Sequence, residues 1–80
     1  MKRIKPALRA RLDPGKAWER LYVLNMSLNE LARRIGRSRS FVSDLFHGRR
    51  YASGETRRRL MEVLQVNSFE DLFILEENDD

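Results

Sequence analysis

The stretch Ser27–Gly48, SLNELARRIGRSRSFVSDLFHG, decides how this chain folds. Ser27 stands three residues before Glu30, the spacing of a capping box, in which the hydroxyl accepts from a free helical amide and the carboxylate reaches back. Behind it Leu28, Leu31, Ala32 and Ile35 recur at i, i+3, i+4 and i+7, one helical face turned to a core. Asn29, Glu30, Arg33 and Arg34 fall on the other face. Gly36 ends this helix, because a turn at positive φ suits glycine and strains other residues. Ser38 then caps a second short helix, roughly Ser38 to His47. Val42, Leu45 and Phe46 are its buried stripe, Ser40, Ser43, Asp44 and His47 its outer face, and Arg39 and Phe41 its flanks. Gly48 closes it as Gly36 closed the one before.

Working outward, Asp13-Pro14 reads as a helix entry, with Asp13 as cap and the proline in the first turn. Ala17, Trp18, Leu21 and Leu24 then share one face of a helix over about Gly15 to Asn25. On the other side Arg49, Arg50 and Tyr51 form a basic loop, and Ser53 caps a helix of about Gly54 to Gln65 with Thr56, Leu60, Val63 and Leu64 inward. Ser68-Phe69-Glu70-Asp71 resembles a capping box and opens a short fifth helix carrying Phe69, Leu72 and Phe73. The expectation is an all-α fold of five helices over residues 14–75, preceded by a mobile basic arm, 1–13, and followed by a frayed acidic tail, 76–80. Trp18, Phe46, Phe69 and Phe73 are assigned to its core. No strand, repeat or low-complexity tract is expected.

The charge is unevenly spread. Residues 1–59 carry all sixteen lysines and arginines against five acids, a net +11, and residues 60–80 carry seven acids and no base, a net −7, giving +4 in total. A basic body of this kind attracts a phosphate backbone. The chain has no cysteine and a single histidine, His47, which excludes a disulfide scaffold, a cysteine-ligated metal and thiol catalysis. No paired carboxylates, nucleophile–base set or phosphate-cradling glycine loop suggests an enzyme, and no cofactor is expected. No apolar run is long enough to span a bilayer, and the charged start lacks an apolar stretch after it, so a cytoplasmic location is expected.

Two short helices joined through Gly36 are a helix-turn-helix, in which the first braces the second so that it can enter a groove about 12 Å wide. The wider stretch Ser27–Phe73 resembles the Cro and lambda-repressor-like, or XRE, helix-turn-helix family. The resemblance is carried by Leu31-Ala32, Ile35-Gly36, Ser38, Val42, Leu45, Gly48, Ser53-Gly54-Glu55-Thr56, Leu60, Leu64 and Phe69 to Leu72. It implies a compact five-helix domain whose third helix reads double-stranded DNA in the major groove. By the same resemblance Arg39 and Ser40 stand where base-contacting residues sit, with Ser43 and Asp44 on the next outward turn. Arg39 has the fork for guanine O6 and N7. Ser40 and Ser43 suit either a base or a phosphate, and Phe41 is placed to meet a thymine methyl. Asp44 could accept from a cytosine amino group, repel phosphate, or pair with an arginine. Phosphate contacts are expected from Asn29, Arg37, His47, Arg49 and Arg50, His47 being equally readable as an idle surface residue. Leu28 departs from the glutamine common at that place in the family and reads as core, leaving Asn29 to substitute. Arg57, Arg58 and Arg59 read equally as duplex contacts or as a solvated face.

The function expected from the resemblance is that of a sequence-specific transcriptional regulator, with repression as its action, bound as a homodimer to a two-fold operator. Phe73-Ile74-Leu75 is the apolar end that supports the dimer, unless it folds back onto the core. A protein-binding module on the same scaffold, such as an antitoxin or an adaptor, is the alternative, with a protein partner in place of DNA or beside it. The aromatic residues show no spacing of a base-stacking platform, so duplex DNA is preferred to a single strand.

Overall fold

A computed structural model describes residues 7–78 of the chain. The element order is β1 (Ala7–Leu12), α1 (Pro14–Val23), α2 (Leu28–Ile35), α3 (Arg39–Phe46), α4 (Gly54–Val63), a single 3-10 turn (Phe69–Asp71) and β2 (Phe73–Asn78). Each helix starts on a side chain named above. The Asp13 carboxylate accepts from Lys16 N, and the hydroxyls of Ser27, Ser38 and Ser53 accept from the amides of Glu30, Phe41 and Thr56. The capping box at Ser27 is half formed. Glu30 turns instead to Arg34, 2.8 Å away and one turn on.

All four helices end by one device. The residue after the last turn sits at positive φ, and the next amide reaches back to a carbonyl five residues earlier. Met26 N–H donates to Leu21 O, Arg37 to Ala32, Arg49 to Asp44 and Val66 to Met61, each at 2.9 Å. Gly36 (φ 73°) and Gly48 (φ 76°) fill two of these turns, and Asn25 (φ 53°) and Gln65 (φ 59°) the other two. Arginines close helix ends as well. Arg59 Nη1 donates to Ile35 O at the end of α2, and Arg20 Nε to Leu64 O at the end of α4.

The expected stripes form the core. Leu31, Ala32 and Ile35 of α2, Val42, Leu45 and Phe46 of α3, and Thr56, Leu60 and Leu64 of and after α4 are buried against Ala17 and Leu21 of α1. Fully burying one such leucine or isoleucine is worth about 1.5–3 kcal/mol. Trp18 differs from expectation. It is 47% exposed and meets Phe46 only edge-on, with centroids 4.9 Å apart. Phe69 is half buried, packed beside Phe73.

The fold is not all-α. Four helices are joined by a two-stranded antiparallel sheet, and the expected fifth helix is replaced by the 3-10 turn and β2. Ser68 makes no side-chain cap there. Strand β1 lies inside the segment read as a basic arm, and β2 runs on to Asn78, into the segment read as an acidic tail. The expected arm at 1–6 and tail end at 79–80 lie outside the described residues. The register sets Leu12 opposite Phe73, Ala10 opposite Leu75 and Arg9 opposite Glu76. Leu12, Ala10 and Phe73 are buried, so one face of the ribbon closes the core. Farther out on that face Leu8 and Leu75 are exposed. No helix among the described residues is long and apolar enough to cross a membrane.

Candidate nucleic-acid interface

The turn between α2 and α3 positions everything that follows. Gly36 at φ 73° reverses the chain after Ile35, and Ser38 opens α3 two residues later. Val42, Leu45 and Phe46 anchor α3 in the core, leaving its first turn, Arg39 and Ser40, in solvent. Neither side chain has a hydrogen bond, ion pair or ring contact among the described residues. Ser43 and Asp44, one turn on, are half buried.

Asp44 is engaged. Its Oδ1 accepts from Arg49 Nε at 3.0 Å, and its Oδ2 lies 3.9 Å from Arg50 Nη2. Phe41 is flanked by two cations, with the Arg37 guanidinium 5.1 Å and the Arg50 guanidinium 4.5 Å from its ring centre. Such stacking restrains the guanidinium planes while leaving their edges to donate. His47 Nδ1 lies 2.8 Å from the Ser43 carbonyl oxygen. With Nδ1–H donating there, Nε2 donates to an anion only in the imidazolium form.

Asn29 lies across the turn from this cluster, and Arg37 reaches both sides. They line a shallow, open concavity of about 600 Å³ together with Arg33 and Arg39. The structure thus brings together two groups of the expected residues: Arg37 and Arg50 at Phe41, joined through Arg50 to Asp44 and Arg49, and Asn29, Arg37 and Arg39 around the concavity. Ser40 belongs to neither contact set, and His47 pairs only with Ser43. Arg33 is a further member, not expected from the sequence. Its place on the outer face of α2 follows from spacing, but its nearness to Arg39 depends on how the two helices cross, which no spacing within one helix reveals.

The arginine trio on α4 divides. Arg57 donates to Ala52 O, and Arg59 to Ile35 O and to Glu55, so both tie α4 to its surroundings. Arg58 is exposed and has no such partner among the described residues. Behind the α3–α4 loop, Glu76 of β2 accepts from Arg11 Nε at 2.7 Å and from the Tyr51 hydroxyl at 2.9 Å, and Arg9 lies 4.3 Å over the Tyr51 ring. Hydrogen bonds from Arg11 and then from Tyr51 hold the Glu76 carboxyl below the usual carboxylate range. The ribbon therefore steadies the loop that carries Arg49 and Arg50, as does Ala52 N–H, which donates to Ala10 O at 3.1 Å.

A family model described as helix-turn-helix matches residues 20–71, which takes in all of α2, α3 and α4. No curated protein sequence matches the chain. Among solved structures, a crystal structure of the transcriptional regulator VanUg is similar, with a TM-score of 0.65 at 20% sequence identity. The alignment covers 98% of this chain and 99% of that one, so the likeness includes the ribbon as well as the helices. At that identity the likeness is one of fold.

Proposed function

The chain belongs to the helix-turn-helix family, and on that premise we propose that it is a sequence-specific regulator of transcription that reads the major groove with α3. The observation that carries this reading is the first turn of α3. Arg39 and Ser40 stand free in solvent at its start, and cations surround them on both sides. In this reading Arg39 donates its fork to a guanine, Ser40 and Ser43 meet base edges, and Asp44 accepts from a cytosine. Asn29, Arg37, Arg49 and Arg50, with His47 when protonated, hold phosphates and set the register. The free amides at the starts of α2 and α3 favour anions in the same place. A regulator of this kind acts as a homodimer, with two recognition helices about 34 Å apart on successive major-groove faces. Repression follows where such an operator overlaps a promoter. The structurally similar protein is itself described as a transcriptional regulator, which supports the reading.

The experiment is selection of bound duplexes from a random pool at near-physiological salt. Enrichment of a palindrome is expected, and Arg39→Ala should then lose about 1–3 kcal/mol of discrimination at one base pair. Equal losses on every sequence would make Arg39 a phosphate ligand, and no enrichment would sink the reading. One observation favours a protein partner as a second reading: Trp18, Tyr22 and Val23 of α1 are all large and exposed. In that reading the partner covers α1, and substituting these residues abolishes its binding without touching DNA.

A further inference from the structure

Two hydrogen bonds tie the segments on either side of α3 to a single helix. From α4, Arg59 Nη1 donates at 3.0 Å to Ile35 O, at the turn before α3, and Arg57 Nη1 donates at 2.9 Å to Ala52 O, in the loop after it. The two arginines stand roughly 200° apart around α4, so one helix reaches in two directions. Ile35 and Ala52 are buried, and among the described residues neither carbonyl accepts from a backbone amide. Left without a donor, a buried carbonyl is costly. Ile35 O also belongs to the last turn of α2, where a cation is favoured. Glu55, one turn back on α4, holds the second arm of the Arg59 fork at 3.0 Å. The guanidinium sits close against the turn itself, since a Cβ on Gly36 would lie 3.1 Å from Nη1.

Between these two ties α3 is anchored by the burial of Val42, Leu45 and Phe46. Apolar contact is non-directional, so it fixes how deep a helix sits better than where its first turn points. Reading a base edge needs the side chain held to roughly 0.5 Å and 10–20°. Directional bonds at both ends of α3 supply that restraint. We propose that Arg57 and Arg59 are positioning residues for base recognition, α4 being the frame that aims α3, and that neither serves as a phosphate ligand. Turning either guanidinium to a phosphate would strip a buried carbonyl of its donor, whereas Arg58, between them, carries no such tie. The use of the frame on DNA rests on the reading of α3 proposed above, and the bracing itself does not.

The test uses Arg57→Met and Arg59→Met in the full chain, which keep much of each apolar stem and remove the guanidinium. Binding to the selected operator and to a random duplex is measured at several salt concentrations, and amide hydrogen exchange is measured without DNA. Each variant is expected to lose at least about fivefold in operator affinity, the low end of what one base contact contributes, with random-duplex affinity and its salt slope unchanged. Exchange should speed at least about tenfold at the Arg37 amide in Arg59→Met and at the Ala52 amide in Arg57→Met, with α1 amides unaffected. Equal losses on both duplexes, with a slope about 0.9 shallower, would make the arginines phosphate ligands and overturn the proposal. A folded variant that loses stability in urea but keeps the wild-type ratio of operator to random affinity overturns it too. Should a methionine variant fail to fold, Glu55→Ala decides, because it loosens the Arg59 fork from an exposed position. It is expected to lower that ratio at least about twofold, and an unchanged ratio refutes the frame. If wild type enriches no operator, the DNA reading fails by itself, and exchange judges the frame alone: unchanged rates at Arg37 and Ala52 overturn it.

Discussion

Asp44→Asn probes whether the acid on α3 restrains the basic loop or reads a base. The carboxylate lies 3.0 Å from Arg49 Nε and 3.9 Å from Arg50 Nη2, with the arginine side chains 59% and 48% exposed. Solvated pairs of this kind are worth about 0.2–1 kcal/mol each, so the variant should lose no more than about 2 kcal/mol of stability. In the proposed complex the same pairs are broken or shared as the guanidiniums turn to phosphate. Removing the acid returns roughly 0.4–2 kcal/mol to binding of any sequence, which is about two- to thirtyfold in affinity. The slope of log affinity against log salt should steepen by about 0.9 for each arginine that newly reaches a phosphate. Fluorescence anisotropy with a random duplex and with the selected operator, at several salt concentrations, measures both effects. If Asp44 also accepts from a cytosine, the operator loses about 1–3 kcal/mol at one base pair while the random duplex gains. An unchanged or weaker random-duplex affinity with an unchanged slope would show that Asp44 restrains nothing.

Two further outcomes follow from the helix ends and from the ribbon. Gly36→Ala should cost about 1–2 kcal/mol in urea unfolding, because the turn is at φ 73° and the new Cβ would lie 3.1 Å from Arg59 Nη1, whereas Gln65→Gly at φ 59° should gain up to about 1 kcal/mol; equal effects at the two sites would refute the strain argument. The Glu76 carboxyl titrates lower folded than unfolded, so its contribution is fully present above the ordinary carboxylate value and is lost as pH falls through the lowered one. In that acid window the urea midpoint of wild type should fall more steeply than that of Glu76→Gln, and parallel curves would remove the Arg11–Glu76–Tyr51 contact as a source of stability.

The helices were legible because their signals are local. Ser27, Ser38 and Ser53 cap the helices they precede, Gly36 and Gly48 take the positive φ expected of them, and the i, i+3, i+4 stripes are buried. The ribbon escaped for the opposite reason. Leu8-Arg9-Ala10-Arg11-Leu12 alternates with a strand's period, but arginine and alanine lack strong strand preference and the partner lies at the other end of the chain. Phe73-Ile74-Leu75 reads equally as the end of a helix, and only pairing with β1 decides. Trp18 shares a helical face with Ala17 and Leu21 yet lies at its margin, where a wheel does not show how wide the covering surface is. At the interface, exposure of Arg39 and Ser40 followed from the stripe, while the Asp44 pairs and the nearness of Arg33 to Arg39 needed tertiary geometry.

The ribbon also governs when the molecule becomes whole. The Arg11–Glu76 contact spans 65 residues, so at about 5–20 residues per second a ribosome makes the second partner about 3–13 s after the first. The backbone bonds within each helix are local and can begin to form as it emerges, although a lone helix of this length is marginal in water. The layer built from Leu12, Leu72 and Phe73 cannot, and until it forms the Tyr51 hydroxyl has no carboxylate to hold the basic loop. The segment that would meet DNA is therefore synthesised well before the strand that steadies it, and the timing of a competent surface belongs to β2.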